Sequence, residues 1–172
     1  IVWVENPRYT YRTEYMFSSS GFVTTIMVLF SIERRGCSVD STISNEKPWD
    51  NTVFANNGSA AIANAGNIGQ IINTSFVDCT SNGFYNSGTG NIDLMYNTTF
   101  DNAGFANSGH INLMYGGKVV NSTDPYAFEN SKGTIDTISN FLFENNSNTL
   151  FTNFSEIGEF SNSIFRNNNA SE

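Results

Sequence analysis

Charge is the first thing this chain is short of. Only 14% of its 172 residues are Asp, Glu, Lys or Arg, and 16 acids against 8 bases give a net charge of −8. Nucleic acid and anionic membrane surfaces are poor partners for such a balance. One histidine, His110, and two cysteines, Cys37 and Cys79, offer no zinc-ligand spacing. No apolar run reaches the roughly 18 residues of a membrane-spanning helix, so no membrane span is expected. Threonine forms no periodic column, which argues against a flat ice-binding face, and calcium-binding nonapeptides and left-handed hexapeptides are missing too. No cofactor, no metal site and no catalytic group is expected.

What the chain has instead is asparagine, at 26 positions, and phenylalanine, at 15. From Gly66 to Asn167 the two recur in one phrase: I-x-x-Φ-x-N-x-x-F-x-N, a variable loop, then Φ-x-N and usually a small residue and glycine. Ile68, Ile92, Ile111, Ile135 and Ile157 anchor it, 24, 19, 24 and 22 residues apart. A period of about 22 without helical spacing predicts a solenoid of strands. The first site of each repeat reads Asn73, Asn97, Gly116, Asn140 and Asn162, and the second Asp78, Asn102, Asn121, Asn145 and Asn167. The third reads Asn64, Asn86, Asn107, Asn130 and Asn153, and a partial coil upstream carries Asn51 and Asn56. Of these 17 sites only Asp78 and Gly116 depart from asparagine. Three such sites per coil predict three short strands and three corners.

In a strand, residues two apart share a face, so Φ and Asn are both expected to point inward or into the corner. Asparagine tolerates the left-handed backbone of a sharp corner, and its amide can both donate and accept between stacked coils. The expected ladder comprises Asn64, Asn86, Asn107, Asn130 and Asn153 together with Asn102, Asn121, Asn145 and Asn167. His110, in Ser108-Gly109-His110-Ile111, reads as an exposed turn residue. Asp93 and Asp136, each following an anchoring isoleucine, read as solvated strand residues. Cys37 and Cys79 stand about two coils apart, so a disulfide requires the segment around Cys37 to fold back.

Residues 1–40 are a different text, with one asparagine, Asn6, and are read as free of the phrase. Tyr9 to Phe17 alternates at strand period, and a second alternating run ends at Ile32, so a hairpin around Ser18 to Gly21 is expected. Half of the basic residues lie here (Arg8, Arg12, Arg34, Arg35), which gives residues 1–36 a balance of 4 − 3 = +1 against 4 − 13 = −9 for the rest. The expected organisation is a β-rich cap or donor-strand arm over 1–40 and a solenoid over 41–172.

The repeats resemble those of right-handed parallel β-helix proteins, in which asparagine ladders and aromatic stacks recur at the corners. Phe143-Glu144-Asn145-Asn146 and Phe165-Arg166-Asn167-Asn168 are also similar to the F-x-x-N repeats of bacterial surface adhesins, although the G-G-A-I partner motif is represented only by Gly90-Asn91-Ile92 and Gly133-Thr134-Ile135. The resemblance covers residues 49–172 and implies an all-β, right-handed, three-sided parallel β-helix. The expected function is that of an extracellular or cell-surface structural protein, a filament or surface-layer subunit whose partner is itself, head to tail, with surface glycans or a host receptor as further partners. The alternatives are a fragment of a β-helical adhesin and a carbohydrate-active enzyme. For the last, the four basic residues of the solenoid and the lack of a convergent carboxylate pair are unfavourable. Seven N-x-S/T sequons occur, at Asn57, Asn73, Asn97, Asn121, Asn145, Asn153 and Asn169. Composition alone accounts for roughly six of them, so their number says little. Asn57, Asn169, Asn73 and Asn97 are the expected acceptors if glycans are carried.

Overall fold

A computed structural model describes residues 2–6, 9–17, 23–29, 49–55, 60–79 and 82–169. The chain divides into two compact units, Ile1–Arg34 and Arg35–Glu172. The boundary expected near residue 40, Cys37, Asn56 and Asn57 lie outside the described residues.

The first unit is an antiparallel sheet in the order β1 (Val2–Asn6), β2 (Tyr9–Phe17), β3 (Val23–Leu29). The expected hairpin is β2–β3, in register from Phe17↔Val23 to Tyr11↔Leu29. Strand β1 was not anticipated. Its five residues are a short pattern to read beside Pro7, but they pair with β2 from Asn6↔Tyr9 to Val2↔Thr13.

The second unit is a parallel β-solenoid of about five turns. Its first coil supplies β4 (Trp49–Asp50), β5 (Val53–Ala55) and β6 (Ile62–Asn64), and its second β7 (Asn67–Ile72), β8 (Ser75–Val77) and β9 (Asn82–Asn86). Then follow β10 (Asn91–Tyr96), β11 (Thr99–Asp101) and β12 (Gly104–Asn107); β13 (His110–Tyr115), β14 (Lys118–Val120) and β15 (Tyr126–Asn130). The last two coils are β16 (Thr134–Ser139), β17 (Leu142–Glu144) and β18 (Thr149–Asn153), then β19 (Glu156–Ser161) and β20 (Ile164–Arg166). Every third strand stacks on its equivalent, making parallel sheets of six, six and five strands. The five anchoring isoleucines pair rung to rung. That in-register stacking is what the repeated phrase encodes: each Φ meets its own copy one coil away, so one residue choice satisfies every rung.

The interior is made of those copies. Phe54, Phe76 and Phe100 stack face to face at 5.2 and 5.1 Å, and Phe84, Phe105, Phe128 and Phe151 at 6.1, 4.6 and 4.9 Å. The two columns meet edge to face, as between Phe100 and Phe105 at 5.4 Å. Offset stacks along a column and T-contacts across it are the two arrangements that ring quadrupoles favour. One coil breaks the second-sheet column by offering Val119, and the following coil adds a buried ring, Phe141, 5.8 Å from Phe143. The Phe141 ring lies over Gly117, where an added Cβ would come within 2.4 Å of the ring tip.

Candidate functional site

The asparagine sites are of two physical kinds. At the first and second corners the residue has positive φ: Asn51, Asn73, Asn97, Asn140 and Asn162 at one, Asp78, Asn102, Asn121, Asn145 and Asn167 at the other. Gly116, the other departure from asparagine, also has φ of +69°. These are the three residue types that adopt left-handed backbone at least cost, so the exceptions obey the rule. The left-handed residue swings its side chain outward. Asn102 is half-buried and Asn121, Asn145 and Asn167 are exposed, which corrects the inward placement expected for those four. They touch neighbouring rungs only on the surface, as where Asn102 Nδ2 donates to Asp78 Oδ1 at 2.9 Å. Asn121 Nδ2 turns instead to Asp101 Oδ1 at 2.8 Å.

The third corner carries the buried ladder. Asn64 Nδ2 donates to Asn86 Oδ1 (2.8 Å), Asn86 to Asn107 (2.9 Å), Asn107 to Asn130 (2.9 Å) and Asn130 to Asn153 (2.8 Å). Backbone groups fix the polarity: Gly66 N–H donates to Asn64 Oδ1 and Gly109 N–H to Asn107 Oδ1, so the oxygens cannot be exchanged for nitrogens. The ladder therefore runs donor-forward from the first coil to the last. Asn64, Asn86, Asn107 and Asn130 are at most 2% exposed, and every amide finds a partner, which is what burial of a polar column demands. The glycines of G-x-I belong to this device. A Cβ on Gly109 would fall 2.2 Å from the Gly90 carbonyl oxygen and 2.8 Å from the Asn86 amide nitrogen.

A second pair of inward amides, buried at Asn146 and half-buried at Asn168, was not expected from the sequence. Asn146 Nδ2 donates to Val119 O at 3.1 Å and to Asn168 Oδ1 at 3.0 Å, while its Oδ1 accepts from Ser122 N–H at 2.9 Å. In both Asn-Asn pairs the first residue is the left-handed corner and the second turns in. Earlier coils place Cys79, Ala103 and Ser122 at the same inward position, all buried. Cys79 Sγ lies 3.6 Å from Val77 O.

On the outer face of the first sheet, His110 opens β13 instead of sitting in a turn. Its Nδ1 is 2.7 Å from Asn91 Oδ1 and its Nε2 is 3.1 Å from both Asp136 oxygens, so one ring ties three coils together. Asp93 and Asp136 are both exposed there, with Asn112 on the rung between them. Beside them Tyr96 and Tyr115 stack at 5.9 Å. Among the described residues no group of three or more His, Cys, Asp and Glu side chains is placed to hold a metal ion. Of the sequon asparagines, Asn97, Asn121, Asn145, Asn153 and Asn169 are exposed and Asn73 is half-buried, with Asn97 Nδ2 donating to Asn73 Oδ1 at 2.8 Å.

The two ends of the solenoid differ. Ile62, in edge strand β6, is 2% exposed and Ala61 4%, whereas in the last coil Phe160 is 39% and Phe165 48% exposed. Their equivalents one coil earlier, Ile138 and Phe143, are fully buried. Phe154 adds 73% exposure at the same end, and β18, β19 and β20 are each the last strand of their sheets among the described residues. Compared with known protein families, curated proteins and solved structures, the chain matches none.

Proposed function

We propose that this chain is an extracellular structural protein, a filament or surface-layer subunit that joins head to tail through its last coil and the N-terminal strands of the next copy. The observation that carries the reading is the exposure of Phe160 and Phe165 at positions that are fully buried in each of the four preceding coils. Three parallel edge strands around an apolar end form a template for further β-structure. A contact between two different surfaces does not close on itself and propagates as a fibre. The similarity of the F-x-x-N phrases to those of surface adhesins supports a cell-surface setting, and secretion through a glycosylating pathway would place sugars at the outward corners Asn97, Asn121 and Asn145. Electron microscopy of the full chain over a range of concentrations tests the reading. Linear assemblies that disappear on Phe160→Asp, with unchanged circular dichroism, are expected. Single particles at every concentration contradict it.

A further inference from the structure

The last coil asks for a particular strand, and the chain contains one. The third-sheet strands β15 and β18 are five residues long and end Φ-x-Asn: Tyr126-Ala127-Phe128-Glu129-Asn130 and Thr149-Leu150-Phe151-Thr152-Asn153. Strand β1 reads Val2-Trp3-Val4-Glu5-Asn6, the same length with the same ending. The reading of residues 1–40 as free of the phrase is therefore wrong at this strand. Asn6 is the one asparagine of the first 36 residues, and it stands at the ladder position. Among the described residues strand β1 is moreover an edge of its sheet, paired with β2 on one side alone.

We infer that β1 of one copy adds in parallel to β18 of another, in the register Val2↔Thr149, Val4↔Phe151 and Asn6↔Asn153, making Asn6 the next rung of the neighbour's ladder. This names the pairing element of the head-to-tail assembly proposed above and rests on it. Three observations converge. The ladder is polar, each amide donating forward, so the end at Asn153 presents a donor; its Nδ2 donates to Ser155 O at 3.1 Å and has a second hydrogen for an incoming amide oxygen. The opposite end of the solenoid is not an equivalent target, since Ile62 and Asn64 are each 2% exposed. Charge favours the encounter as well, because the segment carrying β1 is net positive by one and the remainder net negative by nine. A strand parallel to β18 and antiparallel to β2 makes a mixed sheet, an ordinary arrangement. One bond would be lost. At each inner rung the residue after the ladder asparagine donates its N–H to the preceding asparagine carbonyl, as Ser108 does to Asn86 at 2.7 Å, and Pro7 has no N–H to give.

The test uses full chains carrying Cys37→Ser and Cys79→Ala. One preparation also carries Asn6→Cys and the other Asn153→Cys, and they are mixed under mild oxidation. The expected product is a disulfide-linked pair of the two chains, formed at least tenfold faster than when Asn140→Cys replaces Asn153→Cys. Assemblies seen by microscopy with no preference for the 6–153 link overturn the assignment of β1 while leaving head-to-tail assembly standing. The absence of assemblies in the unsubstituted chain overturns both. A chain carrying both cysteines supplies the last arm, in which a link closed within single monomers shows that β1 folds back onto its own coil and contradicts the inference.

Discussion

One residue type does two jobs in this chain, and backbone conformation decides which. A left-handed asparagine turns the corner and faces water; an asparagine with ordinary backbone at the third corner stacks in the interior. The two respond differently to substitution. Asn107→Leu orphans the Asn86 and Asn130 amides and the Gly109 N–H and is expected to cost about 2–4 kcal/mol. Asn145→Leu forces a branched side chain into left-handed backbone, at about 1–2 kcal/mol. Asn145→Gly is expected to stay within about 0.5 kcal/mol of the parent, because glycine tolerates that φ. Urea melts of the three variants check this ranking. Asp124 supplies a pH dependence. Burial raises its pKa, partly opposed by the Gly104 backbone hydrogen bond, and its Oδ2 has no hydrogen-bond partner. A folded-state pKa above the unfolded value of 3.8 means that the favourable, protonated contribution is complete below 3.8 and is lost as pH rises through the folded pKa. Asp124→Asn is therefore expected to be more stable than the parent at neutral pH, with the difference vanishing on acidification. Melting temperatures measured across that range decide it.

At the scale of the strand and the coil, stability comes from each element resting on its own copy. Phe128 touches Phe105 at 4.6 Å and Phe151 at 4.9 Å, and Phe128→Ala should cost about 3–5 kcal/mol. Phe165 has a neighbour on one side, Phe143 at 4.6 Å, and Phe165→Ala should cost less than half as much in a dilute, unassembled sample. Equal losses in denaturant melts would show that the last coil is covered like the others. Gly109→Ala is expected to cost about 1–3 kcal/mol by pushing a Cβ against the Gly90 carbonyl oxygen and the Asn86 amide. This scale is also where the sequence was most and least legible. The register of strands was plain, because the phenylalanine columns and the anchoring isoleucines repeat at coil spacing. The direction of the asparagines was not, because Φ+2 is the same at all three corners while the left-handed kink that reverses the side chain occurs at two. The distinguishing signals are short: Gly two or three places after Asn64, Asn86, Asn107 and Asn130, and a second asparagine after Asn145 and Asn167. Strand β1 escaped because five residues carry little periodicity. His110 escaped because its partners, Asn91 and Asp136, lie 19 and 26 residues away.

At the scale of the molecule, the solenoid is asymmetric along its axis: Ile62 and Asn64 of the first coil are buried, whereas Phe160 and Phe165, at core positions of the last described coil, are exposed. The central claim is that this last coil is an engaged surface when molecules meet. Hydrogen exchange of the full chain, followed by mass spectrometry at a series of concentrations, tests it most directly. Backbone amides of Thr149–Asn153, Glu156–Ser161 and Ile164–Arg166 should exchange fast in dilute solution and become protected as concentration rises, while those of Asn91–Tyr96 stay protected throughout. Exchange in the last coil that is equally fast at every concentration, or already as slow as in Asn91–Tyr96 when dilute, would contradict the account.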